Sequence, residues 1–430
     1  MGSDPWRRAC CAPDLKRRHE NTMRETMPKT IVVPVTLDTK GKETKFIKDE
    51  IERKGHNTLV IDVGVLGEPQ LKADITREEV ARAGGKSLRE LVEAAEKGAD
   101  RTEATNVMIR GVQKIVKELH SAGKLDGIIS LGGSTGTAIG TSAMSVLPIG
   151  VPKLMVSTWF ELQFVGAKDI AMMQTPADIV GLNSVMRQTL ASAAGAIVGM
   201  VEAEVQGDVK PLIGITALGV TTPAAMKINP LLEERGYDPI VFHSKTQVLD
   251  ELMEEGRISG IIDLTTFEVM VPITYHLPES LAEDRLKLAG EKGLPQVIVP
   301  GGLDMLIFTG TKETVPAEYK DRILHAHGPD RVLARTTKEE VGKAARILAE
   351  RANRAVGPVA IVIPLQGFSV VDKAGQHFYD PEADGAFAKV VKDIVKGSVE
   401  IVEVDAHIND DEFAKRVVDT FGRLMMKGSL

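Results

Sequence analysis

The feature that most constrains this chain is a repeat. Thr30-Ile-Val-Val-Pro-Val-Thr-Leu-Asp-Thr-Lys40 is followed by Asp49-Glu-Ile-Glu-Arg-Lys-Gly-His-Asn-Thr-Leu-Val-Ile-Asp62. Leu212-Ile-Gly-Ile-Thr-Ala-Leu-Gly-Val-Thr-Thr-Pro223 is followed by Leu231-Leu-Glu-Glu-Arg-Gly-Tyr-Asp-Pro-Ile-Val-Phe-His243. Each copy is an apolar run, a Thr-rich turn, a helical stretch closing at Gly, and a second apolar run. Leu125-Asp-Gly-Ile-Ile-Ser-Leu-Gly-Gly-Ser-Thr135 then answers Ile258-Ser-Gly-Ile-Ile-Asp-Leu-Thr-Thr-Phe-Glu268, and Val151-Pro-Lys-Leu-Met-Val-Ser-Thr158 answers Leu294-Pro-Gln-Val-Ile-Val-Pro-Gly301. Val/Ile runs without polar alternation are buried on both faces, which means parallel sheet with helices on each side. The expectation is an α/β protein of two Rossmann-like domains, each a mostly parallel sheet with helices on both faces. Ligands of such sheets bind at the carboxyl ends of the strands, so the turns after the strands become the candidate site.

With 430 residues the chain is too long for one ordinary core. A net charge of -7 argues against generic nucleic-acid binding, and 4% aromatic content leaves little base-stacking surface. The apolar runs are too short and interrupted for a membrane span. The two cysteines, Cys10 and Cys11, are adjacent and cannot staple the fold, which fits a reducing cytoplasm. Residues 1–26 read as a disordered or tag-like tail, charged, aperiodic and without the apolar core of a signal peptide. Met23 or Met27 fits a native start. The N-terminal domain is expected over 27–206 and the C-terminal domain over 207–430, with the boundary at Gly207-Asp208.

Strands are expected near 29–35, 57–63, 126–131, 153–157 and 169–173 in the first half. Residues 64–124 form an insertion with a polar loop and helices near 86–97 and 104–120. A helix near 183–203, rich in Ala and Gly, closes this half. In the second half, strands are expected near 211–216, 239–243, 259–263, 295–299, 331–335, 358–363 and 399–404. A last helix opens at Asn409-Asp-Asp-Glu412, where Asn and acids suit a helix start.

The sharpest motif is Ile128-Ile-Ser-Leu-Gly-Gly-Ser-Thr-Gly-Thr137. Gly132, Gly133 and Gly136 let backbone approach a ligand closely, and Ser134, Thr135 and Thr137 add hydroxyl donors. A helix starting near Gly136 would offer free N–H groups to an anion, most often phosphate. A tight turn that only packs helix on sheet would use the same glycines. In Thr36-Leu-Asp-Thr-Lys-Gly-Lys-Glu43, Asp38 and Thr39 can cap the next helix. Lys40 and Lys42 can reach phosphate oxygens, and Asp38 and Glu43 could hold magnesium. A capped surface turn is the plainer use of the same residues.

In the second half, Thr222 reads as a helix N-cap with Pro223 first inside, leaving Thr221 to face a ligand. Asp263, Glu268 and Asp304 would converge at one sheet edge, where paired carboxylates can share acid/base work or bind a metal. His243 ends a strand on that edge. His325 and His327 share a face if their stretch is extended, and His407 precedes the last helix. A lone His is more often a satisfied polar residue than a catalyst. Pro364–Asp372 and His377–Glu382 form a loop that could act as a lid.

At these residues the chain resembles the Tm-one-like ATP-binding domain family, which includes a plant antiviral protein that blocks tobamovirus RNA replication. The residues that carry the resemblance include Asp38-Thr-Lys40 with Glu43, Leu131–Thr137, Leu147–Lys153, Gly219–Pro223, Val241-Phe-His243, Asp263–Glu268, Asp304-Met305, Phe378–Glu382 and His407-Ile-Asn409. Together they span nearly everything from residue 28 onward.

The resemblance implies two Rossmann-like domains, a homodimer, and ATP in the first domain on Asp38, Thr39, Lys40, Gly132, Gly133, Ser134, Thr135, Gly136 and Thr137. It brings no firm reaction. The chain departs from the family at Ser244-Lys-Thr-Gln247, Ser157-Thr-Trp-Phe-Glu-Leu162, Ile307-Phe-Thr309 and His327-Gly-Pro329. These departures put the second domain's substrate or activity in doubt.

The expected function is that of an ATP-binding protein, with Mg2+, of undefined metabolic role. Catalysis would be nucleotide-dependent transfer or hydrolysis at a small acid in an inter-domain cleft, with His243, Asp263, Glu268 and Asp304 presented to that second ligand. The alternative is a non-catalytic, nucleotide-gated protein-interaction module. A nicotinamide dehydrogenase is a weaker reading, because the fingerprint glycine spacing is absent and only Asp62 supports it.

Overall fold

The computed structural model describes residues 27–97, 101–159, 165–166, 168–204, 209–244, 247–275 and 286–428. The expected tail 1–26, the boundary at Gly207-Asp208, and the departures at Phe160–Leu162 and Lys245-Thr246 lie outside those residues. The chain divides into two compact units between Glu204 and Val205.

The first unit runs β1 (Thr30–Val35), α1 (Leu37–Arg53), β2 (Asn57–Asp62), α2 (Arg77–Ala83), α3 (Leu88–Glu96), α4 (Arg101–Ser121), β3 (Gly127–Gly132), α5 (Ser134–Ser145), β4 (Lys153–Ser157), β5 (Ala171–Gln174) and α6 (Ser184–Glu202). Its strands are parallel, in the order β2-β1-β3-β4-β5. Both faces are covered, which is why the strands lack polar alternation. Val32, Ile61 and Ile128 pack on one side with Val80, Met108 and Val112. Ile31, Val33 and Ile129 pack on the other with Ile47, Leu190 and Ile197.

Within the 64–124 insertion, helix α2 occupies part of the stretch read as polar loop. Its start carries a capping box, Thr76 with Glu79, which was readable in the sequence. It crosses α4 at near backbone contact. A Cβ on Gly111 would lie 2.0 Å from the Val80 carbonyl oxygen, and one on Gly84 would lie 2.0 Å from that of Val107.

The second unit runs β6 (Leu212–Ala217), α7 (Thr222–Glu233), β7 (Asp238–His243), α8 (Gln247–Glu254), β8 (Ile258–Thr265), α9 (Met270–Thr274), α10 (Lys287–Glu291), β9 (Gln296–Gly301), β10 (Met305–Thr309), β11 (Leu324–Ala326), β12 (Arg331–Arg335), α11 (Lys338–Arg354), β13 (Val359–Pro364), α12 (Pro381–Ile394), β14 (Val399–Val404) and α13 (Asp411–Gly428). The main sheet is parallel, in the order β14-β13-β9-β8-β6-β7.

Counted from the first strand of each unit, β6 to β9 repeat the positions of β1 to β4, so the sequence echo is a repeat of topology. The strand expected at 331–335 forms, but not in that sheet. It is the centre of a small antiparallel sheet, β10-β12-β11, inserted between β9 and β13.

Gly111→Ala is expected to lower the stability of the first unit by about 1–3 kcal/mol, because backbone cannot yield to the added methyl. Gly195→Ala, on α6 with nothing within 4 Å of its Cβ position, should instead stabilise by about 0.5–1 kcal/mol. Urea denaturation of both variants checks the opposite signs.

Candidate functional site

In a parallel sheet of order 2-1-3-4-5 the chain leaves β1 in one direction and later returns on its other side. Connections from β1 and β3 therefore pass to opposite faces, and a crevice is left at their carboxyl ends. In the first unit a cavity of about 470 Å³ lies there. Thr36, Asp38, Thr39 and Lys40 line it from the turn after β1, and Gly133, Ser134, Thr135 and Gly136 from the turn after β3. Leu91, Ala94 and Ala95 of α3, Met108 of α4 and Leu66 supply an apolar wall. The two motifs singled out in this half thus meet in one place.

Helix α5 begins at Ser134, two residues earlier than expected, with Gly133 as N-cap and no side chain capping it. Ser134, Thr135 and Gly136 therefore form its first turn, whose N–H groups lack intrahelical acceptors and carry the positive end of the helix dipole. The other two residues of the motif hold the turn and do not line the cavity. A Cβ on Gly132 would stand 2.7 Å from the Gly136 Cα. Thr137 is buried, with its hydroxyl 2.6 Å from that of Ser157.

Asp38 and Thr39 do not cap α1 as expected. The helix starts at Leu37, so both sit inside its first turn. The capping acid comes from β2: Asp62 Oδ1 accepts from the Leu37 amide at 3.1 Å and from the Gly64 amide at 2.9 Å. Burial pushes the Asp62 carboxyl above its ordinary value, and the two N–H bonds oppose that rise. Asp62 is therefore a cap, which removes the one support for nicotinamide binding. Asp38 keeps a buried carboxylate oxygen without a hydrogen-bond partner. Lys40 Nζ donates to the Ile179 carbonyl at 2.6 Å. Glu43 is buried, accepts from the Gly181 amide and does not line the cavity.

The second unit treats the same crevice differently. After β8 comes a 3-10 turn, Phe267–Val269, leading into the five-residue α9. Thr221 does not face a ligand: its hydroxyl lies 2.6 Å from that of Thr265, and both side chains are fully buried. The Thr216 hydroxyl bonds to Asp263 at 3.3 Å and to the Thr265 carbonyl at 3.2 Å. Helix α7 starts at Thr222, with Thr221 as N-cap and Pro223 in its first turn. Asn409, expected to cap the last helix, instead accepts from the Ala224 amide at 3.0 Å.

Of the four acid/base candidates, Asp263, Glu268 and Asp304 are buried. His243 is exposed at the end of the edge strand β7.

Asp304 belongs to a cluster the sequence did not reveal. Asp304, Asp372 and Asp384 come from three separate segments and surround Arg335, and all four are at most 6% exposed. Arg335 Nη2 bonds to Asp384 at 2.6 Å, but its Nε and Nη1 bond to the carbonyls of Phe378 (2.7 Å) and Asp304 (3.1 Å). Ser369 donates to Asp304 at 2.6 Å.

Burial raises all three carboxyls, with repulsion from the neighbouring acids adding to it and Arg335 opposing. Asp304 is pushed up to about 7, Asp372 to about 8 and Asp384 to about 6. His407 is buried and held below its ordinary value by that burial. It accepts from the Asn409 amide at Nδ1 and bonds at Nε2 to the Ser369 carbonyl, the pattern of a neutral ring. His325 in β11 and His327 just past its end have ring centroids 6.3 Å apart, and His377 joins them 5.6 Å from His325. Among the described residues no group of three or more His, Cys, Asp or Glu is placed to hold a metal ion. No described helix is long and apolar enough to cross a membrane.

The fold and site define a class: a two-unit, Rossmann-like α/β protein with an open crevice in its first unit. Comparison with known proteins then gives the family. Residues 29–206 match the N-terminal domain, and residues 210–425 the C-terminal domain, of the family described as Uncharacterised protein family (UPF0261). The chain belongs to that family. A UPF0261 protein of Clostridium tetani is 42% identical over 93% of this chain and 100% of its own length. One of Brucella suis is 34% identical over 95% and 98%. The ToMV resistance protein Tm-1(GCR237) of Solanum lycopersicum is 33% identical over 74% of this chain and 44% of its own length.

Acidic groups held above their ordinary value stabilise the fold at low pH and lose that contribution as pH rises through the raised values. The second unit should therefore lose stability between about pH 5 and 8. Arg335→Met should cost about 3–5 kcal/mol near neutrality, because Asp384 loses its hydrogen-bonded cation and all three buried acids lose the positive charge they surround. The loss should be smaller near pH 5, where those acids are protonated. Denaturant titrations of both proteins across that range check the sign.

Proposed function

We propose that this protein binds ATP, as its Mg2+ complex, in the cavity of the first unit, with the phosphates at the start of α5. The observation that carries this reading is an uncapped twelve-residue helix whose first turn lines an open switch-point cavity. First-turn amides and the helix dipole favour an anion there. Leu91, Ala94 and Met108 give the base an apolar wall. Mg2+ is commonly held by one or two carboxylates together with substrate phosphates, and Asp38, which lines this cavity, suits that role. With one Lys40 donor engaged at Ile179, the other two suit phosphate oxygens.

What binding does has two readings. In the first, the protein is a nucleotide-dependent transferase or hydrolase acting on a small acid, with His243, Asp263, Glu268 and Asp304 as its acid/base groups. In the second, it is a non-catalytic, nucleotide-gated interaction module. One observation favours the second: Asp263 and Asp304 are fully buried and bonded to the protein's own hydroxyls. The tomato relative, a ToMV resistance protein, agrees with it. Both readings take the protein as a cytoplasmic homodimer, which light scattering on the purified chain tests.

Calorimetry with ATP and magnesium should show saturable binding. Ser134→Asp places a carboxylate in the first turn of α5, which favours the helix by about 0.3–1 kcal/mol but repels phosphate. ATP affinity should fall at least about tenfold with thermal stability kept. No binding heat from the unaltered chain at millimolar nucleotide would remove the reading. ATP turnover abolished by Glu268→Gln, with binding intact, would decide for the enzyme.

A further inference from the structure

The segment 365–380 leads from β13 to α12, and it is tied across the carboxyl edge of the second sheet. Its Val370 amide donates to the Val220 carbonyl at 3.2 Å, and its Phe368 carbonyl accepts from Gly302 at 3.2 Å. Its Gly367 carbonyl accepts from Ile408 at 3.2 Å. Val220 neighbours Thr221, so the segment lies across the β6/β8 crevice, the counterpart of the open crevice in the first unit. Val371 and Phe378 anchor it in a small apolar cluster with Leu218, Val220, Met305 and Leu333.

The segment is also held by the carboxyl cluster. Asp372 lies within it, accepts from the Phe368 amide at 2.8 Å and is within hydrogen-bonding reach of Asp384 on α12. Ser369 ties it to Asp304 in the turn after β9.

Charge counting shows what this arrangement requires. Three buried carboxylates face one guanidinium, which bonds to only one of them and otherwise to carbonyls and the Thr336 hydroxyl. The other charged or titratable groups nearby do not balance them. His407 is neutral by its bonding, Lys373 pairs with Asp410 at the surface at 3.4 Å, and the Asp380 side chain caps α12. Full ionisation would leave two negative charges buried without a partner, at a cost of several kcal/mol each. Asp304 Oδ1, Asp372 Oδ1 and Asp384 Oδ2 are each buried without a hydrogen-bond partner. A proton shared by Asp372 and Asp384 both removes a charge and gives one of the pair an O–H donor.

We propose that Asp304, Asp372 and Asp384 around Arg335 form a proton-held latch that keeps segment 365–380 closed over the second unit's crevice and lets it open as pH rises. Opening releases the retained proton to solvent and leaves Asp372 hydrated as a carboxylate. The crevice it uncovers lies at the carboxyl ends of β6 and β8, where Thr221 and Thr265 meet.

Hydrogen exchange by mass spectrometry on the full chain, corrected for intrinsic rates, tests this. Opening of the amides of Phe368, Val370, Asp372 and Phe378 should rise up to about tenfold per pH unit for each proton released between about pH 5 and 8, then level off. Amides of β13 should not follow. Asp372→Asn, neutral and nearly isosteric, should lower the slope by about one proton. A flat profile in the unaltered chain, or an undiminished slope in the variant, overturns the latch. Should the variant fail to fold, the infrared carbonyl band of a protonated carboxyl decides. A band present near pH 6 that fades in step with segment opening supports the latch, and its absence overturns it.

Discussion

A parallel sheet cannot close its own switch point. Where two neighbouring strands send their connections to opposite faces, no main-chain bonding fills the gap at their carboxyl ends. Something else must fill it: a ligand, water or the chain's own side chains. The two units differ at this edge in how each meets the constraint. The first leaves a cavity walled by its two strand-to-helix turns. The second brings two threonine hydroxyls into direct contact and lays a long segment across the top.

The first solution depends on glycine at close approach. Gly132 lets the helix after β3 begin immediately, and Gly133 caps it without a side chain to take the first amides. At the helix after β1 the opposite choice is made, because Asp62 reaches across from β2 and bonds to the Leu37 amide. One helix start is electrostatically answered from within and the other is not. The cavity therefore has a polarity, with its bare positive end at α5 and the carboxylate of Asp38 beside it. Such an arrangement suits a multiply charged anion that arrives with its own cation better than a free anion.

Much of this was legible in the sequence. The repeat of apolar runs and turns gave both parallel sheets, because strands buried on two faces have a distinctive composition. The Gly-rich turn at 132–137 and the Thr36–Glu43 turn each announced a backbone need, and both reached the same edge. The failures were of another kind. Asp62 as a cap, Asn409 as a cap of a helix nearly two hundred residues away, and Glu43 as an acceptor for Gly181 are contacts over long sequence separations. Local pattern cannot choose among several acids when the partner is a single distant amide. The cluster of Asp304, Asp372, Asp384 and Arg335 was hidden for the same reason, since each member looks like an ordinary surface charge in its own segment.

That cluster also explains why the second unit keeps polar residues that a simple plug would not need. Val371 and Phe378 give the 365–380 segment an apolar anchorage that does not respond to pH, and replacing buried ion pairs by such packing is often neutral or stabilising. Three acids around one arginine are instead a costly way to fasten a loop, stable only while protons remain. A fastening whose strength varies with proton activity near neutrality makes sense where the closed form must be left as well as kept. Beneath the segment, Thr216, Thr221, Thr265 and Asp263 form a hydrogen-bonded polar floor at the carboxyl ends of β6 and β8, so what the latch covers is polar rather than apolar.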